Sequence, residues 1–144
     1  MVKIRKAKLK DVEKLILIGK KVSEFRVDSN VSGFWNKSQL VKLVRSKYDV
    51  ILVAEEKDNI VGFVIFAHHI PTGKVTFENA WVHPNYRGKD IVSKLTKEGL
   101  KQLKSKGAKV ICAYVEMDNE NSRKFLEKNK FKKGHNFKWM YRSI

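Results

Sequence analysis

The chain has 144 residues, 42% of them hydrophobic and 10% aromatic, which suits one globular domain over residues 1–144 and excludes a disordered or collagen-like chain. Thirty-one lysines and arginines against fifteen acids leave a formal net charge of +16, a field that attracts polyanions. A lone cysteine forms no internal disulfide, no apolar run approaches about 18 residues, and the N-terminus has no signal-like apolar stretch, so a soluble cytoplasmic protein without membrane partners is expected.

Residues 2–7 alternate as a short strand. Val12, Leu15, Ile16, Gly19 and Val22 recur at helical spacing, which predicts a helix from about Asp11 to Phe25. A turn-rich loop with Phe34 and Trp35 follows, then a second helix over about 37–47. The period then changes. Residues 49–55 and 60–69 read as strands joined by a turn at Lys57-Asp58-Asn59, and Pro71-Thr72-Gly73 turns the chain into a third strand over 74–83. A loop over 83–90 leads to a helix over about 90–106, with a stripe of Val92, Leu95, Gly99 and Leu103. Residues 108–115 read as a buried strand, 122–129 as a short helix, and 131–141 as a closing pair of strands. The order β-α-α-β-β-β-α-β-α-β-β predicts an α/β (α+β) fold with a mixed sheet.

The chemistry points to the junction of the third strand and the helix after it. A helix N-terminus offers free amides and a partial positive charge, and Arg87-Gly88-Lys89 sits at that entry. This makes a candidate phosphate site, although the glycine spacing of a P-loop or a dinucleotide fingerprint is missing. His68 and His69 are adjacent in a strand and face opposite ways, and His83 and His135 have no metal spacing, so no metal site is expected. Cys112 reads as a buried small residue. Only six of the 31 cationic residues are arginines, so most of the charge sits on flexible lysines.

Several segments together resemble the GNAT superfamily of acyl-CoA-dependent N-acyltransferases. They are Ile4-Arg5-Lys6-Ala7 with Asp11, Val61-Gly62-Phe63, Trp81-Val82-His83-Pro84-Asn85-Tyr86-Arg87-Gly88-Lys89, and Asn119-Glu120-Asn121-Ser122 followed by Phe125 to Phe131. The resemblance implies a mostly antiparallel sheet flanked by helices, with a parallel strand pair that splays to hold acyl-CoA. It implies that the backbone of Ala80, Trp81 and Val82 pairs with the pantetheine arm and polarises the thioester. It further implies that Arg87, Gly88, Lys89, Asp90, Ile91, Val92 and Ser93 cradle the pyrophosphate, and that Asn119, Asn121 and Ser122 contact the arm. A primary amine would attack acetyl-CoA directly. Glu78 is the candidate base, its alternative being a surface carboxylate paired with a lysine. Phe34 and Trp35 would help build the acceptor pocket, and Glu24 and Asp28 would hold a cationic acceptor. A homodimer fits the superfamily.

Three positions depart from the family pattern. Asp90 stands for a glycine and Val92 for a glycine or alanine in the coenzyme loop. Leu126 stands for the usual tyrosine acid, with Tyr114 and Tyr141 as substitutes. A carboxylate about 5 Å from a phosphate charge costs about 3 kcal/mol at an effective dielectric near 20. Asp90 is also a good helix cap that could occupy the amides phosphate needs. Two other readings therefore stay open: a non-catalytic domain of this fold with a degenerate loop, and a nucleic-acid-associated protein using its basic surface.

Overall fold

The computed structural model describes residues 1–26 and 33–144. The chain divides into two compact units, Met1–Tyr114 and Val115–Ile144. In the first, five strands form one sheet in the order β1-β2-β3-β4-β5: β1 (Lys3–Lys6), β2 (Val50–Glu56), β3 (Asn59–His69), β4 (Lys74–Val82) and β5 (Val110–Cys112). The first three pairings are antiparallel and β4–β5 is parallel. This is the mixed sheet that the order of elements predicts.

Helices cover both faces. On one side α1 (Val12–Gly19) and α2 (Lys37–Arg45) pack with Phe34 on Ile51, Val53, Phe63 and Ile65. On the other, α3 (Ile91–Ser105) packs Ile91, Leu95 and Leu103 on Leu52, Ala54, Val64 and Phe66. Alternate residues of β2 and β3 serve the two cores, which is why both strands read as continuous apolar runs. The turn between them carries Lys57 and Asp58, both at positive φ (48° and 63°), so the reversal takes two residues. At the start of the sheet Arg5 bonds both Asp11 (2.7 and 3.0 Å) and Glu55 (2.6 and 3.0 Å). Asp11 is buried and also accepts the Lys8 amide.

Several expectations need correction. The first helix stops at Gly19 rather than Phe25, and only a single 3-10 turn follows at Ser23–Phe25. The Phe34 ring occupies the space above Gly19, where an added Cβ would lie 2.3 Å from it. The strand expected over 108–115 covers only Val110–Cys112 and is not buried. It is the sheet's edge strand, with a neighbour on one side only, and Val110 is 52% exposed. Cys112 is accordingly only partly buried. Ile91, not Val92, joins the buried stripe of α3.

In the second unit α4 (Glu120–Lys128) is capped by Asn119, whose side chain accepts the Ser122 amide at 3.1 Å. The closing strands expected over 131–141 do not form. Phe137, Trp139 and Tyr141 have the alternation of a strand but are exposed, and Trp139 stacks on Tyr141 at 4.9 Å. A hairpin without a third strand is marginal in water, so an alternating pattern alone does not make a sheet.

Candidate active site

Strand β4 builds the site. Its pairing with β3 skips one residue: Ile65 faces Asn79 and Phe66 faces Phe77, so Glu78 sits in a bulge. The bulge inverts the strand's alternation. Val75 and Phe77 pack in the core under α3 before it, Ala80 and Val82 do so after it, and Trp81 turns to the core under α1. Asn79, the next residue, lies on the α1–α2 side with Trp35. Asn79 is buried and its Oδ1 accepts the Trp35 indole N–H at 2.9 Å. The Trp81 ring stacks on Phe63 at 5.8 Å, and Phe63 meets Phe34 edge-on at 5.9 Å.

The Glu78 side chain has no ion pair or hydrogen bond among the described residues, in a chain with 31 cationic side chains. The lysine-paired surface carboxylate is thus not what the fold makes of it. Glu78 reaches solvent, yet surrounding protein desolvates its carboxyl and raises its pKa above the ordinary glutamate value. A carboxylate without a counter-ion is available to a proton.

The parallel pair holds only at Lys74, Val75 and Thr76, opposite Val110, Ile111 and Cys112. Among the described residues no strand pairs with β4 on that side from Phe77 to Val82. The direction of its amides follows from one bond: the His83 amide donates to the Val61 carbonyl at 2.9 Å, on the rung next to the Val82–Gly62 pair. In an antiparallel ladder this makes Val82 a non-bonded partner, so its N–H and C=O point away from β3. Ala80, two residues back, points the same way. Trp81 bonds toward β3. The open edge therefore offers the main-chain groups of Ala80 and Val82, spaced to pair with an extended chain.

Past β4, the side chain of His83 accepts the Asn85 amide at 3.2 Å and the chain turns toward α3. Gly88 adopts φ +75°, with no atom within 4 Å of where a Cβ would be. Asp90 is also left-handed (φ 56°), a conformation Asp tolerates better than most residues and glycine adopts freely. Its side chain makes no capping hydrogen bond to the helix, so the occupied-amide expectation does not hold. The first bond of the helical ladder runs from the Lys94 amide to the Asp90 carbonyl. The first-turn amides of Ile91, Val92 and Ser93 lie ahead of that ladder. Arg87, Gly88, Lys89 and Asp90 are all exposed around this turn. Lys89 lies over the Tyr86 ring, 4.8 Å from its centre, and the Tyr86 hydroxyl donates to Glu56 at 2.6 Å.

Of the acceptor candidates, Phe34 is core, Trp35 is tied to Asn79, and Glu24 is exposed and accepts the Ser23 hydroxyl. Asp28 lies outside the described residues. In the second unit Asn119 spends its side chain on the cap of α4, with Asn121 and Ser122 in the first turn. Leu126 is on α4, and both Tyr114 and Tyr141 are exposed. Sequence reasoning missed the Trp35–Asn79 bond and the bulge. Their signal is the phase slip from Val75 and Phe77 to Ala80 and Val82 across two adjacent polar residues. A hollow lined by Lys6, Ala7, Leu43, Val44, Ser46 and Asp49 is not part of this site. It lies at the start of β2, whereas Val82 pairs with Gly62, which pairs with Ala54 near the end of β2. Among the described residues, no group of three His, Cys, Asp or Glu is arranged to hold a metal, and no helix is long and apolar enough to cross a membrane.

A mixed sheet whose parallel pair opens beside a loop into a helix N-terminus is the architecture of the acyl-CoA-dependent N-acetyltransferases. A profile of the acetyltransferase (GNAT) family matches residues 21–131, and the chain belongs to that family. A transcriptional regulator from Bacillus halodurans C-125 superposes with a TM-score of 0.76 at 21% identity, covering 99% of this chain and 100% of the other. Aminoglycoside N-acetyltransferase AAC(6')-Iy in complex with CoA gives 0.80 at 14% identity, covering 100% and 96%. The ribosomal-protein-S18-alanine N-acetyltransferase from Escherichia coli gives 0.74 at 15% identity, covering 94% and 80%. A search of curated protein sequences finds no significant match.

Proposed function

We propose that the protein transfers an acetyl group from acetyl-CoA to a primary amine by direct attack. The observation that carries this is the unpartnered edge of β4, aimed through a glycine turn at the amides that open α3. The pantetheine arm would pair with Ala80 and Val82 as an added strand does. Their N–H groups would polarise the thioester carbonyl and stabilise the oxyanion formed on attack. Arg87, Gly88, Lys89 and the first turn of α3 would hold the pyrophosphate. Glu78, without a counter-ion, would take the proton that the attacking amine must lose, directly or through water. The thiolate of CoA leaves without a tyrosine acid, because Leu126 supplies none and a thiol of low pKa needs little help. Trp35, Asn79 and Trp81 would form the acceptor wall beside Glu78. Asn119, Asn121 and Ser122 belong to this proposal on family resemblance alone.

The test is calorimetric titration with acetyl-CoA at about 150 and about 500 mM salt, with ATP as a polyanion control. Micromolar binding that survives salt and exceeds ATP is expected. Binding equal to ATP and lost with salt would mean that the loop only attracts anions. Glu78→Gln should then lower kcat on a responsive amine while leaving acetyl-CoA affinity unchanged. In the parent protein the rate should rise with pH through a value above that of an ordinary glutamate, since desolvation raises the pKa of Glu78. An unchanged rate in the variant across pH 6–9 removes Glu78 from the mechanism.

A further inference from the structure

Four lysines, Lys94, Lys97, Lys101 and Lys104, follow one another along α3 at spacings of three, four and three residues. At 3.6 residues per turn they fall within an arc of about 80° and span about 15 Å of helix. All four are exposed. None of the four side chains has an ion pair or hydrogen bond among the described residues, whereas the side chains of Lys14, Lys37, Lys106 and Lys124 elsewhere do. Glu98, the acid of this helix, lies off the arc and accepts from Gln102 at 2.9 Å. Like charges three and four residues apart destabilise a helix, so an uninterrupted row is costly to keep unless something neutralises it.

We infer that this face of α3 docks on the phosphate backbone of double-stranded RNA. The charge complementarity is direct: a straight row of ammonium groups against a polyanion. The row contains no arginine, asparagine or glutamine, so it is built to touch phosphates rather than read base edges in a DNA major groove. It carries no aromatic side chain, which a platform for single strands needs for stacking. It carries no exposed apolar residue, which a membrane-surface helix would insert. Backbone recognition without base reading is the ordinary mode for an A-form duplex. Lys97, Lys101 and Lys104 lie beyond the first turn of α3 and so outside the residues proposed to hold acetyl-CoA, and the inference does not depend on that proposal.

The experiment is fluorescence anisotropy of the full chain with a labelled RNA duplex of about 20 base pairs, titrated across about 50–200 mM salt. The triple variant K97Q/K101Q/K104Q keeps good helix formers on a solvent face. A charge-matched control, K10Q/K20Q/K21Q, removes three exposed lysines elsewhere. The α3 triple should bind at least about tenfold more weakly at 100 mM salt and lower the log–log salt slope by about 2–3. The control should change affinity less than about threefold. Equal losses from both triples would overturn the inference in favour of diffuse charge. Tighter binding to a DNA duplex, or to phosphatidylserine vesicles, would overturn the choice of occupant, and no binding would overturn the whole. Circular dichroism checks folding, and the double variant K97Q/K104Q gives the same comparison if the triple is unstable.

Discussion

Asp90 is the sharpest point at which to perturb the proposed acetyl-CoA site. The residue sits at the entry to α3 and is exposed. Opposite a pyrophosphate at about 5 Å the repulsion is about 3 kcal/mol at an effective dielectric of 20 and about 0.8 kcal/mol at 80. Exposure places the site nearer the second limit, so about 1 kcal/mol is expected, or roughly fivefold in affinity. Two variants separate charge from backbone. Asp90→Asn removes the charge and keeps a side chain that tolerates φ 56°, while Asp90→Gly also frees the backbone. Titration calorimetry at about 150 mM salt should show both binding acetyl-CoA about fivefold more tightly than the parent. At about 500 mM the gain should shrink, because the Debye length falls well below 10 Å. Tightening by Asp90→Gly alone would refute the charge argument and leave a backbone effect. No change in either would mean that the carboxylate points away from the phosphates.

Packing and electrostatics give further expectations. Gly99→Ala would bring a methyl group within 2.4 Å of the Phe66 ring, and the overpacking should cost about 1–3 kcal/mol, seen as a drop of several degrees in Tm. Trp35→Phe should strand the buried Asn79 oxygen and cost about 1–3 kcal/mol in urea unfolding, whereas Trp35→Phe with Asn79→Leu should recover part of it. Burial pushes the Asp11 carboxyl up, but the Arg5 guanidinium and the Lys8 amide pull harder and leave its pKa lowered; Arg5 lowers that of Glu55 as well. Groups with depressed folded pKa values stabilise the protein above their unfolded values and lose that contribution as pH falls through the folded ones. The urea midpoint should therefore fall as pH drops below about 4, and Arg5→Met should flatten that limb while lowering stability at neutral pH.

Local grammar reveals much of the first unit. The apolar runs of β2 and β3, the polar turn at Lys57 and Asp58, and the period of α3 each follow from neighbours in sequence. What escapes is set by contacts distant in sequence. Phe34 lies on Gly19 at the end of α1, whereas Gly19 on its own reads as one more small residue on a helical stripe. Ile91 is the fully buried residue at the head of α3 because it lies against Gly62 of β3, where an added Cβ would meet it at 3.1 Å, while Val92 packs on the same core only partly buried. The candidate site divides the same way. The turn at Arg87 to Asp90 is visible as a motif, and Glu78 as a carboxylate in an apolar strand. The bulge that sets Glu78 beside Asn79 needs the pairing of two strands. The segment after residue 130 shows the reverse error, a sound alternation in Phe137, Trp139 and Tyr141 that makes no strand.

The open edge of β4 has a consequence for mutagenesis. What it presents at Ala80 and Val82 is main chain, while the side chains of both residues are committed to the core under α3. Replacing either by another small apolar residue leaves its amide in place, so a conventional alanine scan would pass over this stretch in silence. Proline reports on it, because it deletes the amide itself. At position 82 it removes a donor that the sheet does not use, and at position 81 it removes one that β3 does. A substitution series read by side-chain chemistry alone would thus assign the strand to stability and miss any ligand lying along it.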